Sequence, residues 1–186
     1  MQVAQTKTTY MALAGLFAAL TAICSWISIP LGFTPVPMNL ATLAVLLAGG
    51  LLGARYGAVS LTVYTLVGAV GVPVFAGFRG GFSVIAGPTG GYIVGYIAAA
   101  FVVGLLVSLA YTGVNKSARQ TLLMVTAMVA GLAVCYALGT AWFIISTHSE
   151  FKAALVACVV PFLPGEIIKI IAGTLLVKKL KKHVDR

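Results

Sequence analysis

The stretch Pro161-Phe162-Leu163-Pro164-Gly165-Glu166-Ile167-Ile168-Lys169 sets a carboxylate and an ammonium inside an otherwise apolar run from Ala153 to Val177. A charged side chain at the centre of a bilayer costs roughly 2.5 to 3.5 kcal/mol on insertion scales, so an intramembrane Glu and Lys point to a functional site. Pro161 and Pro164 lack a backbone N–H and Gly165 is permissive, which predicts a helix that breaks here and restarts at Pro164 or Gly165. Glu166 and Lys169 then fall in the first turn of the new half-helix, on one face at i and i+3. Free N–H groups and the positive end of the helix dipole beside them suit an anionic group on a ligand. The structural alternative is an ion pair that neutralises itself between helices.

Outward from this stretch, the chain of 186 residues is 61% hydrophobic and only 8% charged, with a mean hydropathy of +1.09. These values exclude a soluble domain and fit a single integral membrane substrate-binding domain over residues 1–186. No charged residue occurs from Thr8 to Ala54, Gly57 to Phe78, Gly80 to Asn115 or Gln120 to Thr147, and such lengths require several spans of roughly 20 residues. The fold class expected is all-α and polytopic, with six transmembrane helices. They run over Thr9–Ile29, Asn39–Gly53, Gly57–Phe75, Tyr92–Tyr111 and Leu122–Ile145, then over Ala153–Val160 with the half-helix Gly165–Leu180. A proline turn (Pro30, Gly32, Pro35, Pro37) follows the first span, and a glycine-rich connection, Ala76–Gly91, follows the third.

The net charge of +9 comes from residues at span ends, without interleaved aromatics on an amphipathic face, which is a topology signal and excludes a nucleic-acid surface. With both termini cytoplasmic, Lys7, Arg55, Lys116, Arg119, Lys178, Lys179, Lys181, Lys182 and Arg186 lie inside and only Arg79 and Lys152 outside. The proline turn, the glycine-rich loop and the mouth of the broken helix then share the outer side, where an external solute arrives. Trp26 and Trp142 near outer ends, and Tyr10, Tyr56 and Tyr111 near inner ends, read as an interfacial belt. Lys7 alone precedes the first apolar run, and Ile23 before Cys24 is a poor cleavage position, so the first span is expected to be retained. Cys24, Cys135 and Cys158 form no CxxC pair and predict neither a disulfide framework nor a metal site.

Ala14, Ala18 and Ala22, with Gly15 and Ala19 alongside, give the first helix a smooth stripe for close helix approach. Internal packing and a partner protein both remain open for it.

Four segments in order along the chain resemble the BioY family, the biotin-specific substrate-capture (S) components of energy-coupling-factor (ECF) transporters. They are Thr34-Pro35-Val36-Pro37-Met38-Asn39, Gly68-Ala69-Val70-Gly71-Val72-Pro73-Val74-Phe75-Ala76-Gly77, Gly87-Pro88-Thr89-Gly90-Gly91-Tyr92 and the Pro161–Lys169 stretch. The resemblance implies a vitamin-binding protein of the cell membrane, partnered by a transmembrane coupling (T) subunit and two ATPase subunits. It also implies that the stripe Ala14, Ala18, Ala22 contacts the coupling subunit. The chain departs from the family pattern at Glu166, where Asp is commoner, and at Met38, Asn39 and Leu40.

A biotin pocket needs apolar walls and a few placed polar groups. Lys169, helped by the half-helix N-terminus, is expected to pair with the carboxylate or polarise the ureido oxygen; Glu166 accepts a ureido N–H or orients Lys169. Asn39, Thr89, Tyr92 and Arg79 are the further ligand candidates, with Trp26, Phe75, Phe82 and Trp142 as candidate walls, although each taken singly reads as a lipid-facing or core residue. For Thr89 a helix cap is an equal explanation, and for Arg79 a solvated loop charge is the leading one. No cofactor is expected, biotin being cargo. No P-loop occurs, so energy comes from partners or from an ion gradient; the second option is a self-sufficient proton-coupled transporter of a small organic anion, with Glu166 as proton carrier. An enzyme is not indicated, since His148 and His183 lie outside the spans and no nucleophile–base or metal constellation is visible.

Overall fold

The computed structural model describes residues 7–111 and 118–184. Asn115, Lys116, Ser117 and Arg186 lie outside the described residues, as do the side chains of Tyr111, Lys182 and His183. Helices dominate: α1 (Lys7–Trp26), α2 (Ala41–Ala69), α3 (Phe82–Ala86), α4 (Gly90–Tyr111), α5 (Ala118–Thr147), α6 (Phe151–Cys158) and α7 (Leu163–Val184). A two-residue antiparallel ribbon, β1 (Ser28–Ile29) with β2 (Met38–Asn39), closes the proline turn.

The helical stretch of α2 is not one rod. Gly53 sits at φ 79°, ψ 179°, a left-handed backbone that glycine adopts without the usual side-chain penalty. The chain folds back there, because a Cβ on Gly57 would lie 3.0 Å from the Gly49 Cα. Thr42 and Tyr64 line one cavity, whereas a straight helix would hold them roughly 33 Å apart. Two limbs, 41–52 and 54–69, therefore replace one long span, and the chain passes through the bundle six times. Close approach at the turn requires glycine opposite it: a Cβ on Gly104 of α4 would collide with backbone atoms of Gly53 and Ala54.

Among the described residues, five helical stretches are long and apolar enough to cross a membrane, with α2 counted as one and α6 to α7 taken together. The protein is a multi-pass membrane protein. The limb 41–52 is buried almost throughout and forms the centre, while the limb 54–69 leaves Val59, Val63, Leu66 and Val67 exposed; α2 packs most extensively against α4 and α1, and α4 packs on α5. One end of the bundle carries Lys7, Arg55, Arg119, Lys178 and Lys181 together with the Gly53 turn. Tyr10 stacks on Tyr56 at that end, ring centroids 4.9 Å apart, and Lys181 Nζ donates to the Gly50 carbonyl at 3.2 Å. The opposite end carries the β1–β2 ribbon and the connection from Gly71 to Thr89.

The break in the last span falls where the prolines predict it. Val159 leaves helical geometry at φ −124°, ψ −59°, a 3-10 turn covers Val160–Phe162, and α7 starts at Leu163. Glu166 occupies its first turn, but Lys169 falls in the second, because α7 begins earlier than the glycine alone suggests.

The alanine stripe needs correction. Ala14, Ala18 and Ala22 are 2%, 7% and 6% exposed, turned inward with Phe17 and Thr21, and α1 packs chiefly on α2. The outward face of α1 consists of Met11, Ala12, Gly15, Leu16, Ala19 and Ile23. Close packing within the chain is what the three alanines serve, since small side chains let helix backbones approach.

Candidate functional site

One narrow cavity at the ribbon end reaches from the exposed Arg79 to the buried pair Glu166 and Lys169, with about 640 Å³ of empty space, its mouth included. Each wall comes from a different element. Asn39 stands in β2, where its Oδ1 accepts the Ala41 N–H at 3.0 Å and so holds the start of α2. Thr89 precedes α4, its carbonyl accepting the Tyr92 and Ile93 N–H groups, while its side chain lines the cavity. Tyr92 Oη meets Thr140 Oγ1 at 3.1 Å and donates to the Cys158 carbonyl at 3.4 Å, tying α4 to α5 and α6.

Glu166 and Lys169 form the floor. They are 4% and 7% exposed and paired at 2.8 Å. Burying two charges costs several kcal/mol each unless their hydrogen bonds are filled. Lys169 Nζ donates to Glu166 Oε1, to Thr42 Oγ1 at 2.9 Å and to the Asn39 carbonyl at 2.7 Å. Glu166 Oε1 also accepts from Tyr136 Oη at 3.1 Å, and Thr42 Oγ1 lies 3.0 and 3.1 Å from Oε1 and Oε2. The ammonium's three protons are all used.

The structure gathers all six sequence-selected polar residues, Asn39, Arg79, Thr89, Tyr92, Glu166 and Lys169, around this one cavity. Of the expected apolar walls only Phe75 lines it. Trp26 instead donates its indole N–H to the Pro73 carbonyl at 2.9 Å and stacks on Phe78. Trp142 donates to the Gly87 carbonyl at 2.9 Å, and Phe82 is exposed on α3. Each indole N–H needs an acceptor, and the loop carbonyls provide it; the tryptophans therefore tether the loops and leave the walls to Phe75, Phe162, Ile93 and a set of tyrosines.

Thr42, Tyr64, Tyr96 and Tyr136 are lining residues that sequence reasoning does not select. Spacing offered two clues: Tyr96 stands four residues after Tyr92 on the same helix face, and Thr42 three after Asn39. For Tyr136, alone in an apolar span, no local signal exists.

The sequence model of the BioY family matches residues 1–186. The chain is similar to the biotin transporter BioY of Thermotoga maritima, 41% identical over 93% of this chain and 96% of that protein. It is similar to the biotin transporter BioY of Rhizobium etli at 37% identity, over 91% of each chain. Among solved structures it resembles the crystal structure of the S-component for biotin from an ECF-type ABC transporter, with a TM-score of 0.84 and 28% identity over 98% of this chain and 95% of that one. A family match over residues 1–186, with a relative 41% identical over 93% of the chain, means that this protein belongs to the BioY family.

Proposed function

We propose that the chain is the membrane-embedded biotin-capture subunit of an ATP-driven ECF transporter. The names of its relatives support a transporter and no enzymatic role. The observation that carries the reading is the polarity of the cavity: a guanidinium at the mouth, an apolar and tyrosine-lined middle, and a buried carboxylate at the floor. Biotin has the complementary order, a carboxylate on a flexible chain, a bicyclic body and ureido N–H donors.

With every Lys169 proton already taken, a ligand carboxylate at the floor would have to displace the Asn39, Thr42 or Glu166 contacts and would face Glu166. Biotin therefore enters ureido ring first. Glu166 accepts a ureido N–H, Lys169 neutralises and orients Glu166, and Arg79 takes the valerate carboxylate. The guanidinium spends its Nε on the Ala76 carbonyl at 3.2 Å, which leaves its terminal nitrogens for that purpose. Glu166, anchored by Lys169, Thr42 and Tyr136, is better built as a fixed acceptor than as a mobile proton carrier.

Energy comes from a transmembrane coupling subunit and two ATPase subunits; no cofactor takes part. The coupling subunit docks on the outward small-residue face of α1, Gly15 and Ala19. Both termini are cytoplasmic, because the basic end of the bundle faces the cytoplasm by the positive-inside rule. Calorimetric titration of the detergent-purified protein with biotin, with riboflavin, thiamine and Lys169→Ala as controls, tests the proposal. Binding of biotin alone, lost in the variant, is the expected result; a folded sample that ignores biotin removes it.

A further inference from the structure

Thr42 carries one hydroxyl, with one proton to give and two lone pairs to offer. Lys169 Nζ, 2.9 Å away, donates to that oxygen, so the hydroxyl proton is left for Glu166, whose two oxygens lie 3.0 and 3.1 Å from it. The carboxylate is loaded unevenly. Oε1 receives Lys169 at 2.8 Å and Tyr136 at 3.1 Å besides its share of the Thr42 proton. Among the described hydrogen bonds Oε2 has that share alone. Thr42 thus stands between the two charges, from a helix more than a hundred residues away in sequence.

The geometry points to Thr42 as a positioning residue that decides how the charged pair meets its ligand. Its hydroxyl holds Glu166 with Oε2 left as the acceptor for a ligand N–H, and it occupies the ammonium proton that would otherwise turn toward the ligand. The site is thereby selective for a ligand end that donates hydrogen bonds. This inference rests on the biotin reading above. Thr42→Val keeps the shape of the side chain and removes only the bridge.

The test titrates the full-length protein in detergent with biotin and with a derivative methylated at both ureido nitrogens, which keeps the ring but offers no N–H. Wild type is expected to prefer biotin strongly. In Thr42→Val, biotin binding weakens by about ten- to a hundredfold, the effect of losing hydrogen bonds to charged groups, while the methylated derivative binds as before, so the preference shrinks. Thr42→Ser, which retains the hydroxyl, restores it. An unchanged preference in Thr42→Val, or equal weakening of both ligands with a lower unfolding temperature, reduces Thr42 to a packing residue and leaves biotin capture standing. Wild type that binds neither compound overturns the biotin reading and this inference together.

Discussion

Tyr136 Oη, from the middle of α5, donates to Glu166 Oε1 of α7 at 3.1 Å. The ring also meets Tyr92 edge-on at 5.9 Å and Phe162 at 6.4 Å, so one side chain both supports the carboxylate and shapes the wall. Tyr136→Phe keeps the ring and deletes one hydrogen bond to a charged acceptor, an interaction of about 1.5 to 3 kcal/mol. Biotin affinity should fall roughly tenfold, and the unfolding temperature should drop by several degrees, about 2 to 4 °C for each kcal/mol lost. Calorimetry and thermal unfolding of the same preparation check this.

Lys169→Ala should abolish detectable binding and lower stability, because an unpaired buried carboxylate costs about 3 to 5 kcal/mol. Combining Lys169→Met with Glu166→Gln removes both charges and should recover much of the stability without recovering binding. A double variant that binds biotin like wild type would reduce the pair to a structural one.

Arg79 tests the orientation of the ligand. Arg79→Ala should weaken biotin by about tenfold, in keeping with a partly exposed charge-assisted bond, and leave biotin amide nearly unaffected. Equal losses for acid and amide would place the carboxylate elsewhere.

Two glycines separate fold from site. At Gly104 an added methyl collides with the backbone of the Gly53 turn, which cannot move aside, so Gly104→Ala should destabilise by about 1 to 3 kcal/mol. At Gly139 the collision is with the ring of Tyr92, a cavity wall, so Gly139→Ala should cost more in affinity than in stability. Unfolding midpoints set beside dissociation constants decide between the two patterns.

The α1 faces give a parallel contrast. Ala18→Leu overpacks a buried position and should lower yield and stability of the isolated protein. Ala19→Leu changes an outward position; biotin binding should persist while co-purification with the coupling subunit is lost. Retained co-purification would remove this face from the proposed interface.

Uncharged runs, proline and glycine breaks and the i, i+3 spacing of Glu166 and Lys169 are local properties, and they sufficed for the membrane class, six passes and a broken last helix. The return at Gly53 was visible as a span boundary for the same reason. Three matters depended on tertiary structure. In a bilayer both faces of α1 are apolar, so composition cannot say that Ala14, Ala18 and Ala22 turn inward; packing against α2 decides it. Both tryptophans read from the sequence as an interfacial belt or as cavity walls, and only the packed loops show their partners, the Pro73 and Gly87 carbonyls. Above all, Thr42, Tyr136 and Glu166 converge from three helices far apart in sequence. Sequence alone determined that a charged pair lies buried in this membrane protein; the rotation and register of the packed helices, which no local pattern encodes, decided which hydroxyls hold it and which oxygen is left open.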